Sequence, residues 1–226
     1  MQPGKEKALF VAKKIMASLV FNMAKLEGNP YTFPEVQTLL EGVTVGGHKV
    51  SDQEQVLHIA DGWKRLIKKV ETDKFRLDAE TAIELNAIVA KDEALSVGGF
   101  RDGNVGIQGT DYRPPTADRL DEAFVKMVGE AKEADLPGSA YRLFLESSAN
   151  QYFWDGNKRT GQLMMNGHLM SNGYLPVSIP AKSQLEYNQL MVDFYDTGKM
   201  APMEDFLSQS TPWPTSENEQ EHLLVP

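Results

Sequence analysis

Residues 150–162, NQYFWDGNKRTGQ, set a carboxylate, a glycine, an amide and two cations in consecutive positions: Asp155, Gly156, Asn157, Lys158 and Arg159. A small-residue turn that opens a helix presents backbone N–H groups with no intrahelical acceptor, at the positive end of the helix dipole. That is a ready anion site, and phosphate is the anion it suits. Gly156 lets a phosphate approach the backbone, Asn157 can donate from its side chain, Lys158 and Arg159 add charge, and Asp155 can hold a divalent ion bridging phosphates. Lysine and arginine at a helix start oppose the dipole unless an anion offsets them. On spacing alone, a solvated Asp-Gly-Asn turn accounts for the same letters about as well. Trp154, just ahead of the turn, is suited to stacking on a base and equally to packing.

The elements that must position this stretch read as helices. Apolar residues from Leu9 to Leu26 keep helical spacing, which predicts one long helix over 5–26 stopped by Gly28 and Pro30. Thr32 and Glu35 form a capping-box pair for a short helix burying Val36, Leu39 and Leu40. Ser51 or Asp52 opens a third helix to about 70, and a fourth is expected over about 78–95. Further helices are expected over 116–133, 137–152, 157–171 and 182–195, with a short one at 203–207. Between them, GGFRDGNVGIQGTDYRPP breaks the period and predicts an irregular loop holding a small β-hairpin near Asn104–Gln108. The last residues, 211–226, are polar and aperiodic and read as extended or disordered. Met164, Met165 and Met170 read as core filling.

Composition bounds the chemistry. The chain has 226 residues, is 41% hydrophobic and carries a net charge of −9, which argues against a general nucleic-acid partner. It contains no cysteine, so thiol nucleophiles, disulfides and cysteine metal centres are excluded. Lysines interrupt the apolar residues of the first helix, unlike a signal peptide, and no run reaches the ~18 apolar residues of a membrane span. The expectation is a cytoplasmic protein with neither nucleic-acid nor membrane partner.

The stretch also resembles the core motif of the Fic/Doc (Fido) family, H-x-F-x-[D/E]-G-N-[G/K]-R, through Phe153, Asp155, Gly156, Asn157, Lys158 and Arg159, with Gln151 at the histidine position. LEGNPYTFPEVQTLLEG at 26–42 is similar to the N-terminal region of members that carry an inhibitory glutamate, which puts Glu27 in that role. GGFRDGNVGIQGTDYRPP is similar to the segment bearing the family's β-hairpin flap, and NGHLMSNGYLPVSIP to the helix after the motif. The resemblance implies a mainly α, Fic-type helical bundle with a small β-hairpin flap. It divides the chain into an N-terminal helical region with the inhibitory-type helix (1–70), a Fic core (71–210) and the tail (211–226). It implies AMP transfer from ATP to a hydroxyl of a target protein, with Mg2+ bridging the phosphates. Asn157 and Arg159 are then catalytic, and Gly156, Asn157, Lys158 and Arg159 bind phosphate. Asp155 holds the metal, and Val105, Gly106, Ile107, Gln108 and Gly109 dock the target by strand addition.

Two departures qualify this. The motif histidine takes the proton of the attacking hydroxyl, whereas the Gln151 amide has no useful basicity, and loss of such a base costs ~10²–10⁴-fold in rate. None of the four histidines is placed by sequence to replace it. Three residues after Arg159, AMP-transferring members carry a second arginine that grips the terminal phosphate and pairs with the inhibitory glutamate; here it is Gln162. Position 23, Ser or Thr in the usual inhibitory motif, is Met23. Glu27 is left to meet Arg159, to meet Lys158, or merely to end its helix. Three readings follow: a transferase of impaired rate, a nucleotide- or protein-binding pseudoenzyme, or a substitution trapping an inactive state. The double departure favours natural divergence over the last. A Doc-like kinase is the weaker enzyme option, because that branch keeps the histidine.

Overall fold

The computed structural model describes residues 3–210, so the expectation for the tail lies outside the described residues. Ten α-helices are found among them: α1 (Lys5–Lys14), α2 (Met16–Leu26), α3 (Phe33–Leu40), α4 (Val50–Glu71), α5 (Ala79–Val89), α6 (Leu120–Glu133), α7 (Gly138–Asn150), α8 (Asn157–Ser171), α9 (Gln184–Thr197) and α10 (Ala201–Gln209). No helix is long and apolar enough to cross a membrane.

The helix that opens at the motif is the centre of the bundle. Twelve of the fifteen residues of α8 are buried, so it has no solvent face to speak of and must pack on every side. Small residues let its neighbours come close. A Cβ at Gly167 would lie 2.2 Å from Phe75, one at Gly161 would lie 3.2 Å from Phe144 of α7, and one at Gly62 of α4 would lie 2.4 Å from Val89 of α5. One apolar core gathers α1–α6 around the near side of α8 through residues such as Leu19, Trp63, Leu85 and Leu163. A second joins α7 and α8 to α9 and α10 through Phe144, Leu169, Tyr187 and Leu207. The polar Asn166, fully buried in α8, donates to the Val177 carbonyl at 3.0 Å and accepts from its N–H at 2.7 Å, which pins the segment leading to α9.

Three expectations are corrected. The first long helix is broken at Ile15 (φ −100°, ψ 18°), although the bonds Ile15 N–H to Val11 and Leu19 N–H to Ile15 persist at 3.0 Å. The bend lets α1 pack on both α4 and α8 while α2 packs on α3 and α4. The fourth helix stops at Val89 rather than near 95, because the Val89 carbonyl is taken by Arg159 (Nη1 to O, 2.5 Å) instead of the next helical turn.

The third correction concerns the β-hairpin. Asn104–Gly109 has no strand, and no strand occurs among the described residues. A lone two-stranded hairpin is marginal without a third strand, and Gly103, Gly106 and Gly109 remove the side chains that cross-strand pairing needs. The segment is held by other means. Ile107 and Tyr112 pack on the second core, Tyr112 stacks on Tyr195 with centroids 6.2 Å apart, and Thr110 donates its hydroxyl hydrogen to Asp196.

Candidate functional site

The motif loop is shaped by α7 ending in a left-handed residue. Gln151 adopts φ 49°, ψ 59°, unusual for a residue with a side chain, and turns the chain sharply out of the helix. Its amide then faces inward: Nε2 donates to the Ser148 carbonyl at 2.6 Å and Oε1 accepts from Asn157 Nδ2 at 3.1 Å. Asn157, buried, closes the loop from the other side, accepting from the Phe153 N–H and donating to the Phe153 carbonyl, each at 2.8 Å. Phe153 sits in an aromatic cluster, 5.5 Å from the Phe100 ring. Gly156 has φ 72°, and a Cβ there would lie 2.9 Å from Ala90 and 3.1 Å from Asn86 Nδ2. The glycine thus answers a close approach to the end of α5, a demand invisible in the motif letters. Asn86 uses that proximity, donating to the Asp155 carbonyl at 2.9 Å and to the Thr160 hydroxyl at 3.1 Å.

Arg159 is 1% exposed and surrounded by carboxylates. It donates to Glu93 twice, Nη1 to Oε1 at 2.6 Å and Nη2 to Oε2 at 3.1 Å, and to Asp155 Oδ1 at 3.1 Å. Glu27 completes the ring with Oε2 3.7 Å from Arg159 Nε, so of the three fates open to it Glu27 meets Arg159. Burial works against the Arg159 charge, but Glu27, Glu93 and Asp155 outweigh it and hold its pKa above the ordinary arginine value. The ring continues outward, since Gln55 donates to Glu93 at 3.0 Å and accepts from Asn29 at 3.0 Å. Around Glu27 several buried polar atoms have no hydrogen-bond partner: its own Oε1, Arg159 Nε and, further along, Gln162 Nε2 and Tyr187 Oη. Neither Glu27 Oε1 nor Gln162 Nε2 has a partner among the described residues.

The helix start is only partly engaged by the protein itself. The Gly156 N–H donates to Asp155 Oδ1 at 2.5 Å, whereas the N–H groups of Asn157 and Lys158 have no acceptor among the described residues. The ammonium of Lys158, half-buried, forms no hydrogen bond or ion pair among the described residues. Beside Asn157 and Thr160 the free space is about 10 Å³, room for one water at most. Among the described residues no group of three or more His, Cys, Asp or Glu could enclose a metal. A single carboxylate does fit Mg2+, which commonly takes one or two carboxylates and completes its shell with phosphate and water. Asp155 meets that description: its side chain is 47% exposed and its hydrogen bonds all fall on Oδ1.

Two residues central to the site have no motif to announce them. Glu93 lies in AKDEALS, where the helical period falters, and only the fold brings it to Arg159. Arg101 is 2% exposed in the glycine-rich loop and ties that loop to the motif. Its guanidinium donates to the carbonyls of Gln151, Gly103 and Pro115, each at 2.5 Å, while its own N–H donates to the Tyr152 carbonyl at 2.9 Å. Burial holds its pKa below the usual arginine value. The signal in the sequence was faint: a lone arginine after an aromatic between glycines. Trp154 covers the same junction, its ring lying 2.6 Å from where a Gly103 Cβ would stand. His168 is half-buried well along α8, and burial pushes its pKa down, so it stands apart from the loop.

Residues 76–169 match the model of the Fic/DOC family, a span that holds α5 to α7, the motif loop and α8 up to Leu169. The protein adenylyltransferase Fic of Drosophila persimilis is 24% identical over 199 residues, covering 85% of this chain and 38% of that protein. Its Drosophila melanogaster counterpart is also 24% identical, with 40% of its length covered, so the chain spans about two fifths of these relatives. Among solved structures, a Fic-domain signalling protein from Bacteroides thetaiotaomicron aligns with a TM-score of 0.75 at 20% identity, covering 93% of this chain and 88% of that one. Fic-1 from C. elegans aligns with a TM-score of 0.77 at 15% identity, covering 97% and 72%. Over residues 76–169 the chain is similar to the Fic/DOC family by its model, and its fold is that of the solved Fic-domain structures.

Proposed function

We propose that the start of α8 binds the phosphates of ATP and that the protein is of the AMP-transferring kind, directed at a hydroxyl of a protein target, with turnover held down by Gln151. The observation that supports this is the motif loop at the start of α8, in which Gln151, an amide without useful basicity at the position matching the motif histidine, is bonded to Ser148 and Asn157. In that reaction the hydroxyl oxygen attacks the α-phosphorus, the bond to the bridging oxygen breaks, pyrophosphate leaves and the hydroxyl proton must be accepted. Without a base the step loses ~10²–10⁴-fold.

The chain's other residues support the binding half. The unused N–H groups of Asn157 and Lys158 and the unpaired Lys158 ammonium suit phosphate oxygens. Mg2+ held by Asp155 would supply charge neutralisation on those oxygens. Arg159 can join only by leaving Glu93 and Glu27, which gives the N-terminal region, 1–70, a restraining role through Glu27. The main-chain groups of Val105–Gly109, outside any regular sheet, are open to hydrogen bonds from a target segment.

The closed carboxylate ring around Arg159 favours a second reading, nucleotide or partner binding without turnover. Incubation with ATP carrying label either on the adenosine or on the γ-phosphate separates the readings. Slow transfer of the adenosine label supports AMP transfer, γ-label alone supports a kinase, and binding without transfer supports the pseudoenzyme.

A further inference from the structure

Away from the motif, a long groove runs between α6, α7 and the turn joining α9 to α10. It has an outer lobe of about 650 Å³ and an inner lobe of about 470 Å³, which share Met127, Glu130, Glu146, Gly198 and Met200. The inner lobe ends on Asn150, the residue before Gln151, and on Tyr112, just beyond the Val105–Gly109 segment. A chain lying along that segment toward the motif would therefore continue into the groove.

Its lining is acidic. Glu130, Glu133, Glu146 and Glu204 face it against Arg142 and Lys126. Arg142 is committed to Glu204 at 2.8 Å, and Lys126 approaches Glu130 at 3.8 Å from the exposed side. The carboxylate of Glu146, common to both lobes and half-buried, has no hydrogen bond or salt bridge among the described residues. Burial, and then the charge of Glu130, raise its pKa, and Lys126 and Arg142 offset this only in part. A second feature is independent of the charge: Ser139 lines the outer lobe, is 3% exposed, and its hydroxyl has no partner. Buried hydroxyls are seldom left unpaired. Phe194, Tyr195 and Tyr112 form the apolar wall of the inner lobe, a surface suited to the alkyl stem of a lysine or arginine.

We propose that this groove takes a lysine or arginine side chain of the target segment, so that the protein recognises a basic stretch beside the hydroxyl presented to the motif. The proposal rests on the reading of the motif as a site acting on a protein hydroxyl. The occupant is a foreign segment rather than this chain's own. Residues 211–226 carry Glu217, Glu219 and Glu221 and no lysine or arginine, and a second copy brings a net charge of −9. Both are repelled by an acidic groove.

The test is peptide binding without nucleotide, followed by fluorescence polarisation. The probe is a labelled peptide with one serine and an adjoining Arg-Arg-Lys run, compared with the same peptide bearing glutamines in place of the run. The basic peptide should bind the wild type at least about 10-fold more tightly, and Glu130→Gln with Glu146→Gln should remove that preference while circular dichroism stays unchanged. Equal binding of both peptides, or a preference that survives in the variant, overturns the proposal. So does displacement of the probe by spermine together with no peptide preference, which would make the groove a polyamine site. Because ATP is absent, failure here leaves the nucleotide reading standing, and peptide preference without label transfer would keep the groove as a basic-peptide site while removing the reaction it was argued to serve.

Discussion

Arg159 of α8 and Glu93 beyond α5 are joined by two hydrogen bonds, Nη1 to Oε1 at 2.6 Å and Nη2 to Oε2 at 3.1 Å. The pair is separated by 66 positions in sequence, and it decides what the motif arginine is free to do. While Glu93 holds it, the guanidinium cannot turn toward a phosphate without losing a two-pronged contact of the strong, charge-assisted kind.

Replacing Glu93 by glutamine should therefore loosen the arginine. The expected outcome is ATP affinity higher by about 10-fold, together with a stability loss of about 1–3 kcal/mol, since Glu27 and Asp155 still face the charge. Calorimetric titration and urea unfolding measure the two. Lower or unchanged affinity would mean that Arg159 contributes nothing to nucleotide binding.

Gln151→His restores a base at the end of α7. Transfer of the adenosine label to protein should rise by about 10²–10⁴-fold over the wild type, with a rate that grows with pH as the imidazole loses its proton near its usual pKa of about 6.5. A variant that folds, binds ATP and remains inert would place the defect elsewhere than in the missing base.

Arg101→Met removes the donor that three loop carbonyls share. Leaving those acceptors buried and unmet should cost about 2–4 kcal/mol and make residues 98–116 the first site cut in limited proteolysis. Wild-type stability in the variant would show that the loop is held by Trp154 and Tyr112 alone.

Glu146 makes stability depend on pH. Its folded pKa is raised, so between the ordinary glutamate value and that raised value the native state binds more protons than the unfolded chain. Stability attributable to this group therefore falls as pH rises through that window. Glu130 and Lys126 face it from α6, Arg142 from its own helix, and Tyr112 from the loop, with Glu130 adding to the rise and both cations opposing it. Glu146→Gln should raise the melting temperature at pH 7 relative to the wild type, with the gap closing toward pH 4. A melting-temperature difference independent of pH would deny the group its raised pKa.

The helices were legible where local pattern and tertiary demand agree. The helix predicted over 157–171 is found as α8, and the Thr32–Glu35 capping box is present, with Thr32 N–H donating to Glu35 at 2.7 Å. The letters were silent where a distant residue intervenes. Nothing local tells that Arg159 will take the Val89 carbonyl and end α5, or that α1 must bend at Ile15 to reach α4 and α8. The hairpin failed because its alternation is short and rich in glycine, while its anchors, Arg101 and Tyr112, lie outside it. At the site, motif spacing identified the loop but not the ring around its arginine, since Glu93 comes from a segment with no pattern of its own.

The claim that the start of α8 cradles a nucleotide's phosphates is tested most directly by titrating Mg-ATP into the Glu93→Gln protein with and without Lys158→Ala. Saturable binding, weakened about 5- to 30-fold by loss of the lysine with the fold intact, is the predicted result. Absence of ATP binding, or binding indifferent to Lys158, would contradict the account.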